Sequence, residues 1–200
     1  MITYKIHLIR HGMTDGNLQG KYIGVTDLPL SPDGVNELIE LKRLIDYPAV
    51  QQVYTSPLLR CRQSANILFP DREHIAVENF REFNFGIFEN KTAAELENTK
   101  EYKDFISGRI SAPPEGEDNS AFVTRLCVGL REVVVDMMEK NITTSAAVMH
   151  GGAIMMLLAA TALPRKQPAQ WTSDTGRGYT IRITPSLYHR TGAVEVIDII

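Results

Sequence analysis

The chain has 200 residues, 44% of them hydrophobic and 22% charged, which predicts a globular protein with one domain spanning residues 1–200. Its formal net charge of -3 offers no basic excess for a nucleic-acid backbone, so a bound phosphate must meet a local cluster of positive charge. The two cysteines, Cys61 and Cys127, lack disulfide-framework or zinc spacing; Lys5 and His7 interrupt any signal-like core; the longest apolar run, residues 153–163, is short for a bilayer. A cytoplasmic setting without a membrane partner is the expectation.

In chain order, the first strand is expected at 4–10, "YKIHLIR", and ends abruptly on Arg10, His11 and Gly12. A helix follows in "SPDGVNELIELKRLID", with Ser31 as N-cap and Pro32 at the first helical position. A second strand is read at 50–56, with a helix after "TSP" at 55–57, and a third strand at 74–80. Phe122, Leu126, Leu130, Val133, Val134 and Met137 form the apolar stripe of a long helix. A fourth strand at 145–150 runs into a helix after Gly151, and two more strands are read at 178–184 and 192–200. Only about 7 residues separate these two, whereas a parallel crossover needs roughly a dozen, so they should pair antiparallel. The expected fold is α/β: a three-layer α/β/α sandwich on a mostly parallel six-stranded sheet, with one antiparallel strand in a C-terminal hairpin.

Ligands of open parallel sheets sit at the carboxyl ends of the strands. Arg10 and His11 end the first strand, Arg60 opens the helix after the second, and His150 ends the fourth. Two arginines and two histidines at one sheet edge make an anion site, because guanidinium forks match phosphate oxygens. Gly12 and Gly151 allow close backbone approach there. A neutral imidazole in such a site can attack phosphorus if the phosphoryl charge is neutralised, and arginines can do that without Mg²⁺ or another cofactor. The chain carries neither GxxxxGK[ST] nor HExxH. The leaving alkoxide needs a proton, for which Glu82 in "NFREFNFGIFENKT" is placed, with Glu78 and Glu89 as competitors.

These residues resemble the histidine phosphatase superfamily, in the branch that includes phosphoglycerate mutase-like phosphatases. The resemblance is carried by "LIRHGMTDGN", "YIGVTDLPLSPDG", "YTSPLLRCRQSA", "REFNFGIFENKT", "PPEGED" and "VMHGG", in the family's order over nearly the whole chain. It implies that His11 is the phosphorylated nucleophile, with Arg10, Arg60 and His150 binding the phosphoryl group. It implies a further phosphate contact from Asn17, proton donation by Glu82, and a substrate border made by the backbone at Ile23, Gly24 and Gly151.

The family holds phosphatases and mutases. Mutases carry a longer, basic insertion where this chain has a compact segment, residues 93–118, with Arg109 as its one arginine. Fewer anchors for a second anion favour hydrolysis, so a phosphatase acting on a small phosphorylated metabolite is expected. An α-ribazole-phosphate phosphatase-like role is one family possibility. The alternatives are a phosphoglycerate mutase and a phosphate- or phosphoprotein-binding module without turnover.

Four details qualify the site. Cys61 is read as a small buried side chain, or as a redox switch if neighbouring arginines depress its pKa. Arg62 is read as a helix-surface residue. Phe83, Phe85 and Phe88 are either an apolar wall for Glu82 or plain core. If the strand at 178–184 runs antiparallel, its start lies at the catalytic edge, which makes Arg177 or Tyr179 a specificity candidate.

Overall fold

The computed structural model describes residues 2–200. The chain runs β1 (Tyr4–Arg10), α1 (Asp15–Leu18), α2 (Pro32–Leu44), β2 (Gln52–Thr55), α3 (Leu59–Leu68) and β3 (His74–Ala76). It continues through α4 (Ala93–Leu96), α5 (Lys100–Ile106), α6 (Asn119–Glu139), β4 (Thr144–Met149), α7 (Gly151–Thr161) and β5 (Ala162–Leu163), and ends with β6 (Gly178–Ile183), α8 (Pro185–Thr191) and β7 (Val194–Ile199). The strands form one sheet in the order β3-β2-β4-β1-β6-β7-β5.

Pairing is parallel on both sides of β4 and between β2 and β3, while β6 runs antiparallel to both β1 and β7. Alternation along the central strands sorts side chains to two faces. Ile6, Leu8, Ala147 and Met149 pack with Leu126, Leu130 and Val133 of α6 and Ile154 and Leu157 of α7. Ile9, Ala146 and Val148 pack on the opposite face with Leu38 of α2 and Cys61, Ala65 and Leu68 of α3. Two helical layers on one sheet are the expected sandwich.

Three details differ from the sequence reading. The sheet has a seventh strand, β5, whose two residues pair with Val194 and Glu195 and are too few to show a period. The third strand stops at Ala76; Glu78–Phe80 coils into a 3₁₀ turn that buries Phe80. The connection between β6 and β7 holds a helix, opened by Pro185 and closed by Gly192 at φ 67°, so the antiparallel pair is not a tight hairpin. No helix among the described residues is long and apolar enough to cross a membrane.

Candidate active site

The parallel register pairs Ile9 with Val148 and Arg10 with Met149. His11 and His150 are therefore the next partners, just beyond the last rung, on the face shared with α3. Their rings meet edge-on with centroids 5.2 Å apart. The His11 backbone N–H donates to Met149 O at 2.9 Å, so β4 fixes the chain direction at His11. The His11 Nδ1 lies 2.6 Å from Gly12 O. A carbonyl can only accept, so Nδ1 carries the proton and Nε2 keeps its lone pair.

Arg60 reaches this lone pair from α3. Its Nε donates to His11 Nε2 at 3.3 Å and to His150 Nδ1 at 3.2 Å, while its terminal nitrogens donate to Gly24 O at 2.7 Å and Thr26 O at 2.8 Å. The helix bearing it has Leu58 at its N-cap, whose side chain cannot accept a bond; Asp27 Oδ1 accepts from Leu59 N–H instead, at 2.6 Å. His150 Nε2 lies 2.8 Å from Ser56 Oγ. Arg10 completes the set from the far side of β1, with one terminal nitrogen donating to Ser173 O at 2.7 Å. Its Nε is buried with no partner among the described residues, a donor free for an oxyanion.

Burial of these groups sets their charge. His11 is pushed down from an ordinary 6.5 to about 3, first by desolvation and then by the Arg60 charge. His150 is held well below its ordinary value for the same reasons in the same order. Both shifts favour neutral rings in the unliganded site at neutral pH.

Glu82 follows the turn after β3, where the chain crosses back over the start of α7. Phe83 N–H and Gly152 N–H each donate to its carboxylate at 2.9 Å. It is 7% exposed, and desolvation raises its pKa against the opposing pull of those bonds and of Arg60. A Cβ built on Gly152 would stand 2.7 Å from Oε1, so the second glycine of "HGG" makes room for the Glu82 carboxyl group. The first glycine, Gly151, serves Arg10: its Cβ would fall 3.1 Å from Arg10 Nε.

A cavity of about 300 Å³ opens beside Glu82, lined by Asn17, Lys21, Tyr22, Ile23, Phe83, Phe85, Phe105, Asn119, Phe122, Gly152, Met155 and Met156. Thr14 donates from both N–H and OH to Asn17 Oδ1, at 3.2 and 2.9 Å, so Asn17 presents its NH₂ group. Ile23 lines the cavity, whereas Gly24 acts through its carbonyl on Arg60 and packs against Phe83 O too tightly for a side chain.

The two competitors of Glu82 are occupied elsewhere. Glu78 is exposed and paired with Arg81. Glu89 accepts from the N–H groups of Gly24, Val25, Thr26 and Phe85 and from the Thr26 hydroxyl, and so builds the loop that holds Arg60. Phe83 and Phe85 are cavity wall, while Phe88 packs in a separate cluster with Leu96 and Tyr102. Cys61 is fully buried, 3.6 Å from the His150 ring, and burial pushes its thiol up. That corrects the redox reading, since desolvation outweighs the neighbouring arginine. Arg62 is exposed.

The antiparallel β6 does begin at the catalytic edge, where Arg177 O accepts from Arg10 N–H at 2.9 Å. The Arg177 side chain does not line the cavity and lies within electrostatic reach of Tyr47. Tyr179 is buried, with its hydroxyl donating to Thr172 O at 2.6 Å. Neither side chain faces the cavity. Sequence reasoning missed Ser56, Asp27 and Gly152; only the doubled glycine carried a readable signal. Among the described residues no group of three or more His, Cys, Asp or Glu is arranged to hold a metal ion.

The fold and its family match define an enzyme of phosphatase or phosphoglycerate mutase-like function. The chain belongs to the histidine phosphatase superfamily (branch 1), whose family model matches residues 6–189. It is 32% identical over 153 residues to the uncharacterized phosphatase PhoE of Bacillus subtilis, covering 76% of this chain and 74% of that protein. It is 27% identical over 164 residues to a 2,3-bisphosphoglycerate-dependent phosphoglycerate mutase of Gloeobacter violaceus, covering 76% and 72%. The crystal structure of the α-ribazole phosphatase from Shigella flexneri shares the fold, with a TM-score of 0.74, 24% identity and coverage of 90% of each chain.

Proposed function

We propose that this chain is a metal-independent phosphomonoesterase that hydrolyses a small phosphorylated metabolite through a phosphohistidine on His11, with Glu82 as general acid. One observation carries the reading: the His11 Nε2 lone pair, left free by the Nδ1 bond to Gly12 O, accepts from Arg60 Nε, which also donates to His150 Nδ1. Nε2 attacks phosphorus, and the P–O bond to the alcohol breaks. Arg10, Arg60 and His150 hold the equatorial oxygens, and Asn17 adds a contact. Glu82 gives its proton to the leaving oxygen. The resulting carboxylate then takes a proton from water, which attacks phosphorus, frees His11 and releases inorganic phosphate.

The cavity supports hydrolysis over transfer. Lys21 is its one cationic lining residue, set among five aromatic rings and two methionines. A mutase must hold a second anion while the phosphohistidine waits, and the arginine of the compact segment, Arg109, is exposed and paired with Asp104 at 2.9 Å. The leaving alcohol is therefore read as largely apolar, and an α-ribazole-phosphate-like ester is one candidate. A cytoplasmic setting belongs to this reading, supported by two unpaired cysteines.

The test is free-phosphate release from sugar phosphates, phosphoglycerates, nucleotides and α-ribazole phosphate, with chelator present and His11→Ala alongside. Selective release that disappears in the variant supports the reading. Phosphoryl transfer between phosphoglycerates without release would replace it with the mutase.

A further inference from the structure

We infer that Arg125, locked by Glu117, positions the general acid, so that α6 controls proton delivery to the leaving group. The inference rests on Glu82 being that acid. Arg125 stands on α6, more than 40 residues along the chain from the loop it grips, and all five of its N–H donors are engaged. Its Nε and one terminal nitrogen bind the two Glu117 oxygens, at 2.6 and 2.8 Å. The remaining donors take three backbone carbonyls of the acid's own loop: Asn79 O at 3.0 Å, Arg81 O at 2.7 Å and Glu82 O at 2.9 Å.

Glu82 is thus held from opposite ends. Its carbonyl is fixed by α6 through Arg125, and its carboxylate by α7 through Gly152 N–H. The Glu117 backbone N–H also donates to Asn84 O at 2.9 Å, two residues beyond the acid. The Arg125 guanidinium lies 4.7 Å from the Phe122 ring, which lines the cavity, so one side chain registers the acid's loop against the cavity wall. A single-point Lys ammonium cannot reproduce this planar fork. Lys at 125 keeps the charge and loses the register.

A misplaced acid has a signature that general loosening lacks. Proton donation matters in proportion to the basicity of the leaving group, and kcat/KM reports steps through the first P–O cleavage. The experiment measures kcat/KM for substituted phenyl phosphates, from p-nitrophenyl to unsubstituted phenyl, in wild type, Arg125→Ala, Arg125→Lys, Glu117→Gln and Glu82→Gln. The expected result is a steeper dependence on leaving-group pKa in the Arg125 and Glu117 variants. The loss on phenyl phosphate should exceed that on p-nitrophenyl phosphate by about 10-fold, a fraction of what an acid supplies in full.

A folded Arg125→Ala with a wild-type slope overturns the inference. Should that variant fail to fold, the slopes of Arg125→Lys and Glu117→Gln decide in its place. Glu82→Gln separates the two levels: if it leaves the slope unchanged, the acid assignment itself falls. If it steepens the slope while the folded Arg125 and Glu117 variants do not, only the positioning role falls.

Discussion

At the level of single residues, burial favours the neutral form of both groups in the proposed mechanism, which leaves the His11 nucleophile unprotonated and the Glu82 acid protonated. His11 is neutral down to about pH 3 in the unliganded site, whereas the Glu82 carboxyl is raised and retains its proton above the ordinary carboxylate range. The kcat/KM profile should therefore fall on the alkaline side as Glu82 loses its proton. Glu82→Gln should flatten that limb in a titration between pH 4 and 9. His11→Ala should lose about 10³-fold or more in kcat/KM, as nucleophile removal does elsewhere, and should trap no acid-labile phosphoenzyme in a quench with labelled substrate. Gly152→Ala tests steric room: its methyl group would meet the Glu82 carboxylate. We expect about 10-fold slower turnover, from an acid group displaced within its catalytic range, with the melting temperature nearly unchanged. Arg10, His11 and His150 were legible because basic residue types where apolar strands end are conspicuous in a sequence, and Arg60 because it opens the helix after one. Arg125 was not, since nothing in its neighbours says that a helix-surface arginine turns inward onto a distant loop.

Elements carry the site as much as residues do. The α3 helix holds Arg60 and lacks a capping residue of its own, so Asp27 supplies the acceptor from another loop. Asp27→Ala should destabilise the protein by about 1 kcal/mol, as cap removal typically does, and raise KM by loosening Arg60; denaturant unfolding and initial rates read the two effects separately. Most elements were legible from apolar periodicity and from start signals such as Ser31-Pro32. The failures have physical causes. The third strand was read too long because Val77 and Phe80 are buried through a 3₁₀ turn whose apolar content looks like strand. The helix α8 buries none of its residues fully, so it left no apolar stripe to read.

For the molecule as a whole, three histidines are buried in neutral form: His7, lowered to about 4, His11, lowered to about 3, and His150. Their unfolded-state pKa lies near 6.5. A depressed folded value gives stability that is present above that point and lost as pH falls toward the folded values. Glu82 has the opposite sign, since its raised folded value favours the fold at low pH and the contribution is lost as pH rises through it. The melting temperature should drop steadily from pH 7 to pH 4. His7→Asn, on β1 four residues before His11 and with its ring bonded to Thr180 Oγ1 at 2.9 Å, should give a shallower drop, and an equal slope would remove His7 from the account.

The pairing of His11 with His150 has a last consequence. Both reach α3's face because each follows a strand in which that face alternates with the other, so the meeting of the two imidazoles is written in the odd-or-even count of residues along β1 and β4. Substitutions along these strands leave the count intact, whereas losing one residue from either turns one imidazole to the opposite side of the sheet. The facing of the two imidazoles therefore tolerates exchange of one side chain for another along β1 and β4, but not a frame slip of a single step.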